Sequence, residues 1–122
     1  MKISNPQKLA SECLKHIPWQ NASFLLYYMY VCDMAAYYKF LYPISGLKYT
    51  KIDKELDCTT TKIKVVFGKK QKELVRRICK KWALKPFALQ DFIENSFPWK
   101  ACRDTDVIPY SLINNEDPHN IY

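Results

Sequence analysis

One run dictates most of what this chain can become. Ser23–Tyr42 reads SFLLYYMYVCDMAAYYKFLY, apolar or aromatic almost throughout, and Pro43 stops it. A stretch of this length is about what a helix needs to cross the hydrocarbon of a bilayer. Two features favour a helix at the centre of a globular core instead. Asp33 and Lys39 lie inside the run, and a charge within a span is costly unless other spans shelter it. Much of the apolar bulk is tyrosine, whose hydroxyls need partners. Asn21 or Ser23 is suited to cap the helix, which should run to about Leu41. It is apolar on nearly every side from Phe24 to Val31, as expected where other elements surround it.

The flanking segments supply those neighbours. Asn5 with Pro6 marks a helix start, and Leu9, Ala10, Cys13, Leu14 and Ile17 recur at helical spacing before Pro18 closes the segment. Beyond Pro43 the period changes. Leu47–Ile52 and Thr59–Phe67 are rich in β-branched and aromatic residues, with the charged stretch Asp53–Asp57 between them, which predicts a short hairpin. Two strands alone are marginal in water, so the hairpin must lie against the helices. A third helix is expected over Lys69–Lys85, presenting Leu74, Val75, Ile78, Cys79 and Trp82, with Pro86 ending it. Phe87–Asn95 predicts a fourth, presenting Leu89, Phe92 and Ile93, and Ser96–Pro98 breaks it. A last short helix is expected near Tyr110–Asn114. The expected fold is mainly α (α+β): one compact domain over residues 1–122, of about five helices with a short β-hairpin after the second. At 122 residues the chain is long enough to bury a core without staples.

Reactive constellations are sparse. Five cysteines (Cys13, Cys32, Cys58, Cys79, Cys102) are an odd number for a disulfide scaffold, and Met1–Ile17 has charges in place of an apolar signal core. Reduced thiols and a cytoplasmic location are therefore expected. Cys13-x-x-His16 is the only close pair of soft ligands, with no second pair at finger spacing, so no metal or other cofactor is expected. His119 lies in a polar tail, and Asp104 and Asp106 suit capping. Two glycines leave little for a phosphate loop, and neither a nucleophile elbow nor an HExxH motif occurs. The expectation is a binding protein rather than an enzyme.

The strongest anomaly is charge. Lys62, Lys64, Lys69, Lys70, Lys72, Arg76, Arg77, Lys80, Lys81 and Lys85 stand against one acid, Glu73, in a chain whose net charge is +7. Such a segment could meet phosphates or an acidic protein surface; it could also be a plain solvated helix face. No helix-turn-helix or RNA-module signature accompanies it. Nine tyrosines, six phenylalanines and three tryptophans are many for this length, and one or two exposed rings beside the basic helix would suffice as anchors.

The run LLYYMYVCDMAAYYKFLYPISGLKYTKI (Leu25–Ile52) resembles the opening of Panacea domains, the SocA-like antitoxin family. There a leading helix gives way to a Pro-Ile-Ser/Thr-Gly turn, here Pro43-Ile44-Ser45-Gly46, and then a strand. Lys72–Ile113 is similar to the family's second half, most specifically at Pro98-Trp99-Lys100-Ala101. Family members usually carry a Gly-Pro-Val-Pro-like stretch after the first strand; this chain has Lys54-Glu55-Leu56-Asp57-Cys58-Thr59 instead. The resemblance implies a mainly helical domain that neutralises a toxin encoded by the adjacent gene through direct complex formation. Relatives also include a proteolytic adaptor, and many are encoded in prophages. The residues expected to meet the partner are Lys69, Lys72, Arg76, Arg77, Lys80, Lys81, Trp99 and Lys100. Two other expectations stand beside this one: a phage-encoded, anti-CRISPR-like inhibitor of a host defence complex, and a nucleic-acid-binding regulator using the basic helix.

Overall fold

A computed structural model describes residues 4–61, 65 and 67–116. In chain order they form α1 (Asn5–Leu14), a 3-10 helix (Trp19–Phe24), α2 (Leu25–Phe40), β1 (Lys48–Ile52), β2 (Glu55–Thr59), α3 (Lys69–Trp82), α4 (Pro86–Asn95), α5 (Phe97–Ala101) and a last 3-10 helix (Tyr110–Asn115). This is the expected α+β architecture, with the hairpin following α2. No helix among the described residues is long and apolar enough to cross a membrane.

α2 occupies the centre because it can be buried on every side. All residues from Tyr28 to Ala36 are buried, and α1, α3, α4 and the last 3-10 helix pack around them. Of its tyrosines, Tyr28 and Tyr30 are buried, and Tyr28 donates to the Trp82 carbonyl at 2.7 Å. Tyr30 packs edge-on against Tyr49 of β1, and Tyr37 stacks on Tyr110. The aromatic surplus is thus largely core packing.

The cap of α1 is Ser4, one residue before Asn5. The Ser4 hydroxyl accepts from the Gln7 amide while Gln7 Oε1 accepts from the Ser4 amide, a reciprocal capping box. Leu9, Cys13 and Ile17 enter the core, whereas Leu14, expected on the same face, is 44 % exposed.

The hairpin is displaced from its expected position. β2 is built from the charged stretch, pairing Ile52 with Glu55 and Lys48 with Thr59, so the turn is Asp53-Lys54. Both turn residues have positive φ, 50° and 64°, the twist a two-residue hairpin demands. Only Leu56 of β2 is fully buried, so its polar sequence hides the strand. Of the expected second strand, residues 62–64 and 66 lie outside the described residues. The outer edge of β1 is covered by the segment before the last 3-10 helix. Lys51 N–H donates to Asp106 O, Ile108 N–H to Tyr49 O, and Thr105 N–H to Lys51 O. That cover supplies the support a two-stranded hairpin lacks alone.

One buried carboxylate holds the α2–β1 connection. Asp33 is fully buried; its Oδ1 accepts the Ile44 and Ser45 amides at 2.8 Å each, and its Oδ2 accepts the Ser45 and Tyr49 hydroxyls. The Pro43–Gly46 turn is therefore folded back against the helix it follows. α2 is capped by Leu41 in the left-handed region (φ 70°), whose amide is still bonded to Tyr37 O.

The third and fourth helices also differ at their junction. α3 stops at Trp82, short of Lys85, and Pro86 opens α4 instead of ending α3. The carbonyls freed there are used, since Asn21 Nδ2 donates to Ala83 O and Tyr28 to Trp82 O. Ser96–Pro98 does break α4, but Phe97 and Pro98 begin α5, which sequence reading missed.

Candidate binding surface

α3 divides cleanly. Gln71, Leu74, Val75, Ile78 and Cys79 face the core. At about 100° per residue, the other face runs Lys72, Arg76, Lys69, Lys80, Glu73, Arg77, Lys70, Lys81 across half the helix circumference. All six expected α3 residues therefore share one arc with Lys70, and Glu73 is its only acid. Arg76 binds Glu73 through its Nε at 3.0 Å and through Nη2, which holds the Glu73 carboxyl below its ordinary range.

Local helix electrostatics does not explain this arc. Lys80 and Lys81 at the C-terminal end suit the helix dipole, but Lys69 and Lys70 occupy the first turn, where the dipole is positive and no acid compensates. The Gly68 amide donates to Gln71 Oε1 at 2.9 Å, so the cap itself is neutral.

The arc is not flat. Between the end of α2 and the start of α3 lies a groove of about 510 Å³ lined by Lys39, Phe40, Lys69, Lys70, Glu73, Leu74 and Arg77. Phe40 and Leu74 supply an apolar floor, and four cations surround it. Lys39 and Phe40 are brought there by the end of α2, whose exit is pinned by Asp33. On the other side of α3, Lys8, Lys15 and Lys72 border a shallower depression with Ser11, Glu12 and Phe67. Lys72 Nζ lies 5.8 Å from the Phe67 ring centroid.

Large apolar side chains are exposed beyond the C-terminal end of α3. Leu84 is 84 % exposed and Phe87 72 %; Trp19, in the 3-10 helix that packs on this corner through Asn21 and Phe24, is 80 % exposed. These, and not the α2 tyrosines, are the large exposed apolar side chains next to the end of the basic helix.

Trp99 is a correction. It is 5 % exposed and packs beneath Lys51, whose Nζ lies 5.0 Å from the ring centroid and donates to the Trp99 and Cys102 carbonyls. Pro98-Trp99 is a core wedge rather than a contact anchor. Lys100 is exposed, but on α5, which packs chiefly on α4 and the last 3-10 helix rather than beside the α3 arc.

Lys39, Phe40, Leu84, Phe87 and Trp19 were missed as site residues. Phe87 had a signal, since it falls off the Leu89–Phe92–Ile93 stripe; Lys39 and Phe40 had none, being placed by tertiary structure. Among the described residues one group could hold a metal ion, the buried thiols of Cys13, Cys32 and Cys79. Comparison with protein-family models, curated proteins and solved structures finds no match to this chain.

Proposed function

We propose that this protein is an antitoxin-like binding protein, which neutralises a toxin encoded by the adjacent gene by seating an acidic surface of it on the α3 face. The observation that carries this is the single arc of seven cations on α3, bordered by the groove with a Phe40–Leu74 floor. A partner contributing carboxylates around an apolar side chain complements it in charge and shape. Leu84, Phe87 and Trp19 extend the surface with large apolar area, as interface anchors do. Phosphate tracking would use the cations alone; an apolar floor and apolar anchors favour a protein. The resemblance to Panacea domains, carried by the sequence order of helix, Pro43–Gly46 turn and strand, is what names the partner as a toxin.

Co-expression with the adjacent gene product tests the reading. A stable complex and rescued growth are expected, and both should be lost in Lys70→Glu/Arg77→Glu. Absence of a complex together with failure to rescue growth refutes it. Binding to duplex or single-stranded nucleic acid that weakens steeply with salt would favour the regulator instead.

A further inference from the structure

Cys13 on α1, Cys32 on α2 and Cys79 on α3 are far apart in sequence and meet at the junction of the three helices. Their sulfurs all lie within 4.8 Å of one another, and all three side chains are fully buried. Cysteine is a common small core residue, so burial alone says little. Convergence of three sulfurs says more. With Zn–S bonds of about 2.3 Å, thiolates around one ion sit roughly 3.8–4.0 Å apart, within the separation already present.

We propose that Cys13, Cys32 and Cys79 form a three-thiolate site for one thiophilic d10 cation, zinc(II) or copper(I), clamping α1 to α2 and α3. Sulfur ligands without oxygen donors select soft or borderline cations over magnesium or calcium. Three sulfurs alone complete a trigonal copper(I) site. Zinc requires a fourth ligand, and His16, one turn after Cys13, is the candidate. It stands outside the sulfur group, and its Nε2 lies 3.2 Å from Glu12 Oε2. An inward swing of the ring would give a Cys3His set with Glu12 beside the imidazole, where a second-shell carboxylate commonly stands. Because the site is dry and joins three helices, uptake accompanies docking of α1, and metal binding becomes folding free energy.

The test uses the full chain, reduced and metal-stripped, titrated without oxygen by zinc(II) and separately by copper(I), with competing chelators, native mass spectrometry and thermal melting. One ion per chain and a raised melting temperature are expected for one of the two. Cys32→Ala should abolish stoichiometric uptake, and Cys58→Ala, outside the cluster, should leave it intact. His16→Ala should weaken zinc and not copper(I). Should Cys32→Ala fail to fold, cobalt(II) or cadmium(II) added to the wild-type chain gives an independent readout, a thiolate-to-metal charge-transfer band. The proposal is overturned if the wild-type chain retains neither ion, if uptake survives in folded Cys32→Ala, or if the oxidised chain carries a disulfide within the cluster and takes up no metal when reduced.

Discussion

Replacing Asp33 by alanine should destabilise the fold more than any surface change, and the cost can be worked from its contacts. Without the carboxylate, the Ile44 and Ser45 amides lose the acceptor that stands 2.8 Å away. Neither can turn to another partner, because the chain fixes both. A buried donor left without an acceptor costs about 1–3 kcal/mol, so these two give roughly 2–6 kcal/mol. The Ser45 and Tyr49 hydroxyls can rotate, and Ser45 Oγ keeps the Leu47 amide at 3.0 Å. Relief from burying a charge offsets part of the loss, leaving a net cost in the lower half of that range, about 2–4 kcal/mol. That is a large share of the roughly 5–15 kcal/mol that holds a domain of this size. Asp33→Asn keeps one carbonyl oxygen for both amides and should cost less. Urea unfolding followed by circular dichroism reads both variants, with a lowered midpoint and an unchanged slope expected for Asp33→Ala. A cost below about 1 kcal/mol for Asp33→Ala would refute the claim that this carboxylate organises the turn.

The same group gives a pH signature. Burial raises the Asp33 carboxyl above its ordinary value of 3.8, against the opposing hydrogen bonds from Ser45, Tyr49 and Ile44. The unfolded chain therefore releases this proton at lower pH than the folded one. Its stabilising contribution is complete below the ordinary value, falls as pH rises through the folded-state value, and is level above that. Asp33→Asn removes the slope, so the stability difference between wild type and Asp33→Asn should shrink across that window.

Lys54→Gly should stabilise the protein by about 0.5–1 kcal/mol, since Lys54 holds φ 64° in the hairpin turn and glycine adopts that region without strain; a thermal melt reads it. Lys69→Glu/Lys70→Glu should raise stability while lowering affinity for the partner, with calorimetry for the first and a binding titration for the second.

The elements legible in the sequence are those with one-dimensional causes. α2 announced itself by saturation with apolar residues, and α3 by a stripe of Leu74, Val75, Ile78 and Cys79 opposite lysine and arginine. β2 was not legible because Glu55-Leu56-Asp57-Cys58-Thr59 buries one residue fully, so no alternation of apolar and polar residues advertises it. Pro86 was read as a stop, although at the first position of a helix its missing N–H costs nothing. Trp99 looked like an anchor because sequence cannot tell a wedge from a hot spot; Lys51 covers it from a strand 48 residues away. The basic arc could be counted from the sequence, but its groove could not. Lys39 and Phe40 reach it only because α2 ends where Asp33 pins the returning chain. The thiol cluster was the least legible, since its members come from three helices and follow no ligand spacing.

The two lysines at the start of α3 separate a functional face from an incidental one. A basic helix face that merely keeps a protein soluble has no reason to oppose its own dipole, and acids at those positions would serve solubility equally well. Lys69 and Lys70 instead sit where each forgoes about 0.3–1 kcal/mol relative to an acid. The same placement turns them toward a groove with an apolar floor. A local cost at a concave, mainly cationic surface is the pattern of a site kept for binding. The charge reversal at Lys69 and Lys70 moves stability and affinity in opposite directions if that is so. If the face is only solvated, stability rises and affinity stays where it was, and the α3 arc loses its claim to be the contact surface.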